Sequence, residues 1–258
     1  MEVAGSNPAI STTINIITVS SFLDKLKELS GYNDSVEPPK TIQHNFFSHS
    51  ELTDIKTKIL NLQNYWEYLS KPDEKHVSVQ MLPAGLYSRS YEEYSRNIEH
   101  KRSLMWHNFS SYYEKIKQAV EQNFQVSAEF IESAQFPGFH IFVLDNKTTG
   151  SYPYYNFHRD RFEIPKITLA KIYSFIIPIS LPSDQGALLY TLQSRIKNRV
   201  DLERNTVYNT FTYCEGSLAQ WPGNLIHTIN PFTLKSDESR ITLQFHVSLS
   251  AKQALIFW

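Results

Sequence analysis

Residues 240–249 read RITLQFHVSL, a run in which polar and apolar side chains alternate. On a β-strand, alternate residues project to the same face of the sheet, so Arg240, Thr242, Gln244 and His246 would share one face. The apolar residues between them would point the other way, into a core. The run therefore predicts a strand with one buried apolar face and one polar face that suits a binding pocket.

Further strand-like runs begin at Gly138 and continue up to this one. They cover residues 138–144, 152–158, 172–181, 186–191, 207–213, 217–221 and 224–229. Roughly eight short strands with turn residues between them are typical of a sandwich, a jelly roll or a barrel. We therefore expect residues 136–250 to form a mainly β core.

The first half of the chain has a helical pattern instead. Apolar residues recur there at three- and four-residue spacing, which predicts an amphipathic helix, at Leu52, Ile55, Ile59, Leu62 and Trp66. Ser111 followed by Glu114 has the spacing of a capping box and predicts the start of a second helix. We expect residues 11–135 to form a mixed, helical layer packed on the β core, within one catalytic domain over residues 1–258. Residues 1–10 are expected to be a disordered tail or an over-extended start.

The charge balance and the cysteine content narrow the partners and the compartment. The chain has 25 basic and 26 acidic residues, a net charge of −1 and no block of like charge, which disfavours a nucleic-acid partner. Its apolar runs are strand-length, so no membrane partner is expected. The single cysteine, Cys214, excludes a disulfide within the chain and favours a reducing compartment such as the cytoplasm. Cys214 lies in a strand-like run and is expected to be a buried structural thiol.

Three residues in the β half have the chemistry of a metal site. His158 and Asp160 are two positions apart, so on a strand both project to one face, and His227 lies in a later alternating run. Two histidines and one carboxylate can hold one face of an Fe(II) ion and leave the opposite face open for reactants. A histidine taken alone is more often an ordinary core or surface residue, and this alternative stays open for each of the two.

The order of these residues resembles that of the Fe(II)- and 2-oxoglutarate-dependent oxygenases. The pattern of that family is His-x-Asp, then His, then Arg-x-Ser/Thr, which matches His158, Asp160, His227, Arg240 and Thr242. The resemblance covers the predicted β core and implies a double-stranded β-helix, a jelly-roll or cupin-like fold, with the helical N-terminal layer packed on it. It also implies that the first three residues bind iron. Arg240 would then form a salt bridge with the distal carboxylate of 2-oxoglutarate, and Thr242 would hydrogen-bond it, since a guanidinium fork matches a carboxylate.

The resemblance also implies an activity. Enzymes of this family consume 2-oxoglutarate and O₂, release succinate and CO₂, and hydroxylate an unactivated C–H bond. The iron supplies the redox chemistry, while the protein positions the substrate and keeps the site dry. Asp160 stands where halogenating relatives carry a small residue, so hydroxylation is expected rather than halogenation. Desaturation and cyclisation stay open as alternatives.

Further residues are candidates for contacts with the cosubstrate and the substrate. Tyr173, near the start of the run 172–181, is a candidate hydrogen-bond partner of 2-oxoglutarate, with aromatic packing as its alternative. The candidates for substrate binding are His246, Gln244, Tyr155 and Arg96. The expected substrate is a small molecule such as an amino acid or a natural-product intermediate. The alternatives are a protein or peptide hydroxylase of the same family and a non-catalytic jelly-roll module that binds a ligand or a structural metal.

Overall fold

The computed structural model describes most of the chain from residue 36 onwards. The described residues are 36–70, 77–86, 90–144, 149–152, 157–160, 162, 164, 171–184, 186–192 and 206–258. Apart from Thr206, they belong to one compact unit made of residues 34–193 and 207–258. The tail expected at residues 1–10 and the candidate Tyr155 lie outside the described residues. A single catalytic domain over residues 1–258 therefore stays a prediction.

The described part of the chain contains fourteen strands and three α-helices. In chain order these are β1 (Lys40–Gln43), α1 (His49–Asn61), β2 (Glu67–Ser70), β3 (Ser78–Leu82), α2 (Tyr91–Ser95), α3 (Ile98–Phe124), β4 (Ser127–Phe130), β5 (Gly138–Val143), β6 (Thr149–Tyr152), β7 (Lys171–Ser180), β8 (Leu188–Thr191), β9 (Asn209–Phe211), β10 (Leu218–Pro222), β11 (Ile226–Ile229), β12 (Phe232–Lys235), β13 (Arg240–Leu249) and β14 (Gln253–Phe257). A short 3₁₀ turn, Gln63–Tyr65, follows α1.

The larger sheet is built around β13. Its order is β1-β10-β7-β13-β5-β3-β2, with β14 paired to β13 and β4 paired to β14. β13 pairs antiparallel with β7 on one side and with β5 and β14 on the other. Its residues Ile241, Leu243, Phe245 and Val247 are buried in the main core, together with apolar residues of α1 and α3. The alternating sequence of β13 therefore separates a helix-covered face from a face that lines the interior between the β-layers.

Two smaller sheets pack on that second face. One has the order β11-β8-β9 and the other pairs β12 with β6. Phe232 of β12 contacts Phe142 of β5, with ring centroids 5.4 Å apart. Leu188 of β8 is buried in a cluster with Ile176 of β7. The result is a double-stranded β-helix with helices on the outer face of its larger sheet, which confirms the predicted fold class.

The sequence of helix α1 explains both where the helix begins and which of its faces is buried. The Ser48 hydroxyl accepts a hydrogen bond from the Glu51 backbone N–H, and the Glu51 carboxylate accepts one from the Ser48 N–H. This reciprocal cap satisfies two backbone donors that the first turn leaves unpaired. Leu52, Ile55 and Ile59 are buried on one side, so α1 packs its apolar stripe on the sheet.

The second helix begins earlier than the capping-box pattern predicts. α3 starts at Ile98 and runs through Ser111 without a break. Met105 and Phe109 are buried on the same helix as Ile116, so the apolar stripe already extends upstream of Ser111. Packing of this longer stripe overrides the local capping signal, and the predicted start at Ser111 is wrong.

The structure differs from the sequence expectations in two further features. The larger sheet is not confined to residues 136–250, because β1, β2, β3 and β4 from the first half and β14 at the end also pair into it. Cys214 is exposed, so the expectation of a buried thiol is wrong. Its neighbour Tyr213 is buried instead, so at this point of the run the tyrosine side chain faces the interior and the cysteine side chain faces solvent. Among the described helices, none is long and apolar enough to cross a membrane.

Candidate metal centre

Backbone pairing brings the two candidate histidines together. His158 and His227 form an antiparallel bridge in which each backbone N–H donates to the carbonyl of the other, both at 3.0 Å. Their imidazole centroids are 4.5 Å apart. The backbone N–H of Asp160 donates to the carbonyl of Gly223 at 2.9 Å, which fixes the carboxylate beside the end of β10. Residues far apart in sequence therefore meet through main-chain hydrogen bonds rather than through flexible side chains.

The ligand atoms of these residues are spaced as a metal site requires. His158 Nε2 lies 3.6 Å from Asp160 Oδ1, and His227 Nε2 lies 3.5 Å from Asp160 Oδ2. One ligand atom from each of the three residues lies within 4.8 Å of the others. Atoms that each bind a metal at about 2.1 Å stand roughly 3 to 4 Å apart, so these pairs fit around one ion.

The candidate centre is closed on one side and open on the other. The side chains of His227 and Asp160 are 6% and 10% exposed, whereas that of His158 is 37% exposed. Three protein ligands leave further coordination positions for small molecules, in contrast to a closed structural site with four protein ligands. The exposure at His158 indicates the side from which such molecules would enter.

His227 is already oriented for metal binding. Its Nδ1 lies 3.0 Å from the carbonyl oxygen of Leu225, which can only accept a hydrogen bond. Nδ1 therefore carries the proton of the neutral ring and Nε2 presents its lone pair towards Asp160 and His158. Such a second hydrogen bond on a ligand histidine fixes both its tautomer and its ring angle.

The electrostatics of the centre favour ligand-competent protonation states. Burial acts to raise the pKa of Asp160, but the electrostatic effect of the His227, His246 and His158 rings and the hydrogen bond from Ser174 outweigh it and hold that pKa well below its usual range. Burial lowers the pKa of His227 to about 4, against the opposing effect of the Asp160 charge. At neutral pH the aspartate is therefore ionised and the His227 imidazole is neutral, which is the form that binds metals.

Arg240 is a fully buried cation in an aromatic cage. Its guanidinium carbon lies 5.2 Å, 5.6 Å and 5.7 Å from the ring centroids of Phe142, Tyr213 and Phe232. Its Nε donates to the carbonyl of Gly186 at 3.3 Å. Among the described residues no carbonyl or carboxylate accepts from Nη1 or Nη2, and the Tyr213 side chain interacts with the guanidinium only weakly, outside hydrogen-bond geometry. Gly186 has φ +54°, and a Cβ there would come within 2.9 Å of Arg240 Nε, so the glycine makes room for the arginine. Burial lowers the Arg240 pKa, partly offset by Tyr213.

This arrangement fits a carboxylate as the missing partner. Leaving a buried charge unpaired costs several kcal/mol, and a planar guanidinium with two free terminal nitrogens pairs best with the two oxygens of a carboxylate. Thr242 is fully buried two residues along β13, on the same face, and its hydroxyl accepts a hydrogen bond from Gln244 Nε2 at 3.0 Å. The hydroxyl proton of Thr242 is therefore available for a second acceptor.

Of the other candidate residues, His246 lies beside the metal ligands, whereas Tyr173 and Arg96 lie away from them. His246 lies beside the centre, because its Nδ1 is 3.1 Å from the Ser174 hydroxyl, which in turn is 2.5 Å from Asp160 Oδ2. Tyr173 is on the other face of β7, where its ring packs at 5.0 Å from Phe124 in the helix-covered core. Tyr173 therefore packs among aromatic residues on the face away from the metal ligands, and its contact with 2-oxoglutarate stays a prediction. Arg96 is exposed after α2, and no contact joins it to the metal ligands.

The structure adds residues that sequence analysis missed. Ser174 and Trp221 both donate to Asp160 Oδ2, at 2.5 Å and 3.3 Å, and Trp221 also contacts the His227 ring edge-on. Gly186 leaves room for the Arg240 side chain, because a Cβ at this position would clash with it. A polar residue inside the apolar run 172–181 is a signal that could have identified Ser174. Nothing in the local sequence distinguishes Trp221 from a packing residue.

Fold and site together define a double-stranded β-helix protein with a two-histidine, one-carboxylate candidate metal centre and a buried arginine in its interior. No protein-family model matches the sequence, and no curated protein matches it significantly. The chain is similar in structure to AviO1 from Streptomyces viridochromogenes, with 10% identity, a TM-score of 0.47, and coverage of 90% of this chain and 96% of that one.

Two other solved structures have a comparable likeness. An oxidoreductase of the 2OG-Fe(II) oxygenase family from Burkholderia pseudomallei has 12% identity and a TM-score of 0.47, over 92% of this chain and 94% of its own. The non-haem alpha-ketoglutarate-dependent carbocyclase SnoK of nogalamycin biosynthesis has 13% identity and a TM-score of 0.44, over 77% and 74%.

Proposed function

We propose that this protein is an Fe(II)- and 2-oxoglutarate-dependent oxygenase that hydroxylates an unactivated C–H bond. The observation that carries the proposal is Arg240, a buried guanidinium whose two terminal nitrogens have no carbonyl or carboxylate acceptor among the described residues, in the same interior as an open His-Asp-His centre. A metal site alone fits many functions. A metal site accompanied by an unpaired buried arginine calls for a small dicarboxylate that bridges them.

In this proposal one set of residues binds the metal and a second set binds the cosubstrate. His158, Asp160 and His227 hold Fe(II) on one face. Arg240 and Thr242 bind the distal carboxylate of 2-oxoglutarate and so set the orientation of its other end. When Fe(II), 2-oxoglutarate and O₂ are bound, such a centre supplies oxidative decarboxylation to succinate and CO₂ coupled to C–H hydroxylation. The full burial of Arg240 strengthens the arginine–carboxylate interaction, because charges attract more strongly in a low-dielectric environment.

We assign the substrate to the small-molecule class, such as an amino acid or a natural-product intermediate. Support comes from His246, whose Nε2 is buried without a partner next to the aromatic rings of Phe162, Phe257 and Trp258. An apolar, aromatic lining with few polar groups is typical of small-molecule sites. Gln244, Arg96 and Tyr155 stay in the proposal as candidate contacts with the substrate. A peptide hydroxylase is the alternative within the family, and a cytoplasmic location is part of the same proposal.

The proposal is tested by succinate formation. Fe(II)-loaded protein incubated with 2-oxoglutarate in air should release succinate slowly without substrate, and faster when a library compound is a substrate. His227→Ala should remove this activity, whereas His49→Ala, which changes an exposed histidine at the start of α1, should retain it. The non-catalytic binding module is the rival. A tightly held zinc ion, with no succinate from the Fe(II)-loaded protein, would favour that rival.

A further inference from the structure

Asp160 is held by residues that are not ligands themselves. The Ser174 hydroxyl lies 2.5 Å from Asp160 Oδ2, and Trp221 Nε1 donates to the same oxygen at 3.3 Å. Ser174 on β7 is the direct cross-strand neighbour of His246 on β13. Its hydroxyl is 3.1 Å from His246 Nδ1. Asp160, Ser174 and His246 therefore form a continuous hydrogen-bonded chain that spans the two central strands of the larger sheet, with Ser174 and His246 buried.

The protons in this chain have one consistent arrangement. An ionised carboxylate can only accept, so the single hydroxyl proton of Ser174 is directed to Asp160. The serine oxygen can then only accept from His246, which requires the proton of the imidazole to be on Nδ1. Nε2 of His246 is left as a bare acceptor, which agrees with its lack of a partner in the protein.

We propose that Ser174 and His246 are a positioning pair that holds Asp160 in its ligand orientation. Ser174 and Trp221 occupy Oδ2, so Oδ1 is the oxygen left for the metal, and His246 fixes the direction of the serine hydroxyl. Without the pair, the carboxylate could rotate and offer either oxygen. The inference rests on the proposed metal site, and it concerns how one ligand of that site is oriented.

Burial and sequence context support a dedicated role for the pair. Ser174 and His246 are both buried, in strands whose neighbouring residues Phe175 and Phe245 form the apolar core. Burying a hydroxyl and an imidazole between two such strands has a desolvation cost that hydrophobic residues would avoid. A hydrogen bond to an ionised carboxylate is about twice as strong as a neutral one, so the contact to Asp160 offsets that cost.

The first test measures metal binding with Co(II) as the probe, because its visible spectrum reports the ligand set. Ser174→Ala should weaken Co(II) binding by roughly 10- to 100-fold, the usual effect of removing a hydrogen bond to a ligand, and should change the visible bands. Ser180→Ala is the matched control, since Ser180 is also buried on β7 but contacts Lys56 rather than the centre. The control should bind Co(II) like the unmodified protein.

The second test separates hydrogen bonding from packing at His246. His246→Asn keeps a donor near the position of Nδ1, whereas His246→Phe keeps an aromatic ring without the donor. We expect the asparagine variant to retain Co(II) affinity better than the phenylalanine variant. In ¹⁵N NMR spectra of the metal-free protein, the His246 ring should be protonated on Nδ1. This reading does not depend on whether Ser174→Ala folds.

The outcomes distinguish this inference from the proposed function. If Ser174→Ala binds Co(II) within twofold of the unmodified protein with an unchanged spectrum, or if His246 is protonated on Nε2, the positioning pair is overturned while the metal site stands. If His227→Ala leaves Co(II) binding intact, the metal site itself is overturned. A loss confined to Ser174→Ala and His246→Phe, with Ser180→Ala normal, supports the pair.

Discussion

At the scale of single residues, two arginines differ in their hydrogen bonds: Arg240, which is fully buried, and Arg102, which is partly buried. Arg102 Nη1 donates to the carbonyls of Ile131 and Ala134, and its guanidinium lies over the Phe136 ring. The terminal nitrogens of Arg240 have no such acceptors. Function therefore explains Arg240 better than stability does, since a buried charge without a partner destabilises the folded state.

This contrast gives a prediction for stability and binding together. Arg240→Met should leave the free energy of unfolding unchanged or raise it, because it removes an unpaired buried charge. The same change should weaken binding of 2-oxoglutarate to the Co(II)-loaded protein by at least about 100-fold, near 3 kcal/mol, the range of a charged hydrogen-bonded pair. Urea unfolding and calorimetric titration measure the two effects. Arg102→Met, the matched control, should lower stability by about 1 to 3 kcal/mol.

The opposite result would contradict the role of Arg240. If Arg240→Met were strongly destabilising and bound 2-oxoglutarate normally, the arginine would be a structural residue and the cosubstrate would bind elsewhere.

Gly186 offers a second prediction at this scale. Its φ of +54° disfavours any side chain, and a Cβ would stand 2.9 Å from Arg240 Nε and 2.7 Å from the Phe232 ring. Gly186→Ala should therefore displace the guanidinium and weaken 2-oxoglutarate binding while Co(II) binding is retained. Gly216→Ala is the control, because Gly216 has φ +73° and faces the Phe47 backbone, with no contact to Arg240. If Gly186→Ala bound 2-oxoglutarate as tightly as Gly216→Ala, the space that Gly186 leaves beside Arg240 would have no role in binding.

At the scale of elements, β13 was predictable because its two faces have different environments. The residues of RITLQFHVSL alternate between apolar and polar because one face of β13 packs in the helix-covered core and the other face lines the site. β1, β2 and β4 are only four residues long, and β12 and β14 are four and five, so they carry too little pattern to be separated from loops. The start of α3 was missed because its first two turns, residues 98–104, contain only two apolar residues, Ile98 and Leu104, too few to show a helical period.

The core face of β13 gives a prediction that is independent of catalysis. Phe245 is fully buried and stacks on Phe175, with ring centroids 4.8 Å apart and an interplanar angle of 6°. Phe245→Ala should lower the free energy of unfolding by about 3 to 5 kcal/mol through the cavity it leaves. Chemical denaturation measures the loss. A loss below about 1 kcal/mol would mean that the two central strands are not packed together through the Phe175 and Phe245 rings.

The candidate site was only partly predictable from sequence. His158, Asp160, His227 and Arg240 could be proposed because an ordered set of reactive residue types is visible along the chain. Ser174, Trp221 and Gly186 could not, because their roles arise from contacts between β7, β10 and the segment before β8. Tyr173 illustrates the same limit, since a one-residue difference in register decides which face of β7 a side chain joins.

At the scale of the whole molecule, buried neutral histidines predict how stability depends on pH. Burial lowers the pKa of His140 to about 3, of His246 to about 4 and of His227 to about 4. In the unfolded chain each would titrate near 6.5. Between the folded-state pKa and the unfolded-state pKa of each histidine, the unfolded state binds more protons than the folded state. The contribution of these histidines to the free energy of unfolding is therefore fully present above about pH 6.5 and is lost as the pH falls towards 4.

The expected loss is large enough to measure. Between pH 7.5 and pH 5 each such histidine would lower the free energy of unfolding of the metal-free protein by about 2 kcal/mol. Asp160 adds nothing in this window, because its pKa is lowered and its contribution is lost only at more acidic pH. Urea midpoints at the two pH values test this. Equal midpoints would show that at pH 5 the histidines are protonated in the folded state as they are in the unfolded state, and therefore that water reaches them.

The central claim is that one metal centre and one buried arginine bind 2-oxoglutarate together. Anaerobic titration of the metal-free protein with Fe(II), and then with 2-oxoglutarate, tests it most directly through the weak visible charge-transfer band of an Fe(II)–2-oxoacid complex. The band should appear with the unmodified protein, vanish in His227→Ala and weaken strongly in Arg240→Ala. A folded protein that binds Fe(II) but gives no band with 2-oxoglutarate would contradict the claim.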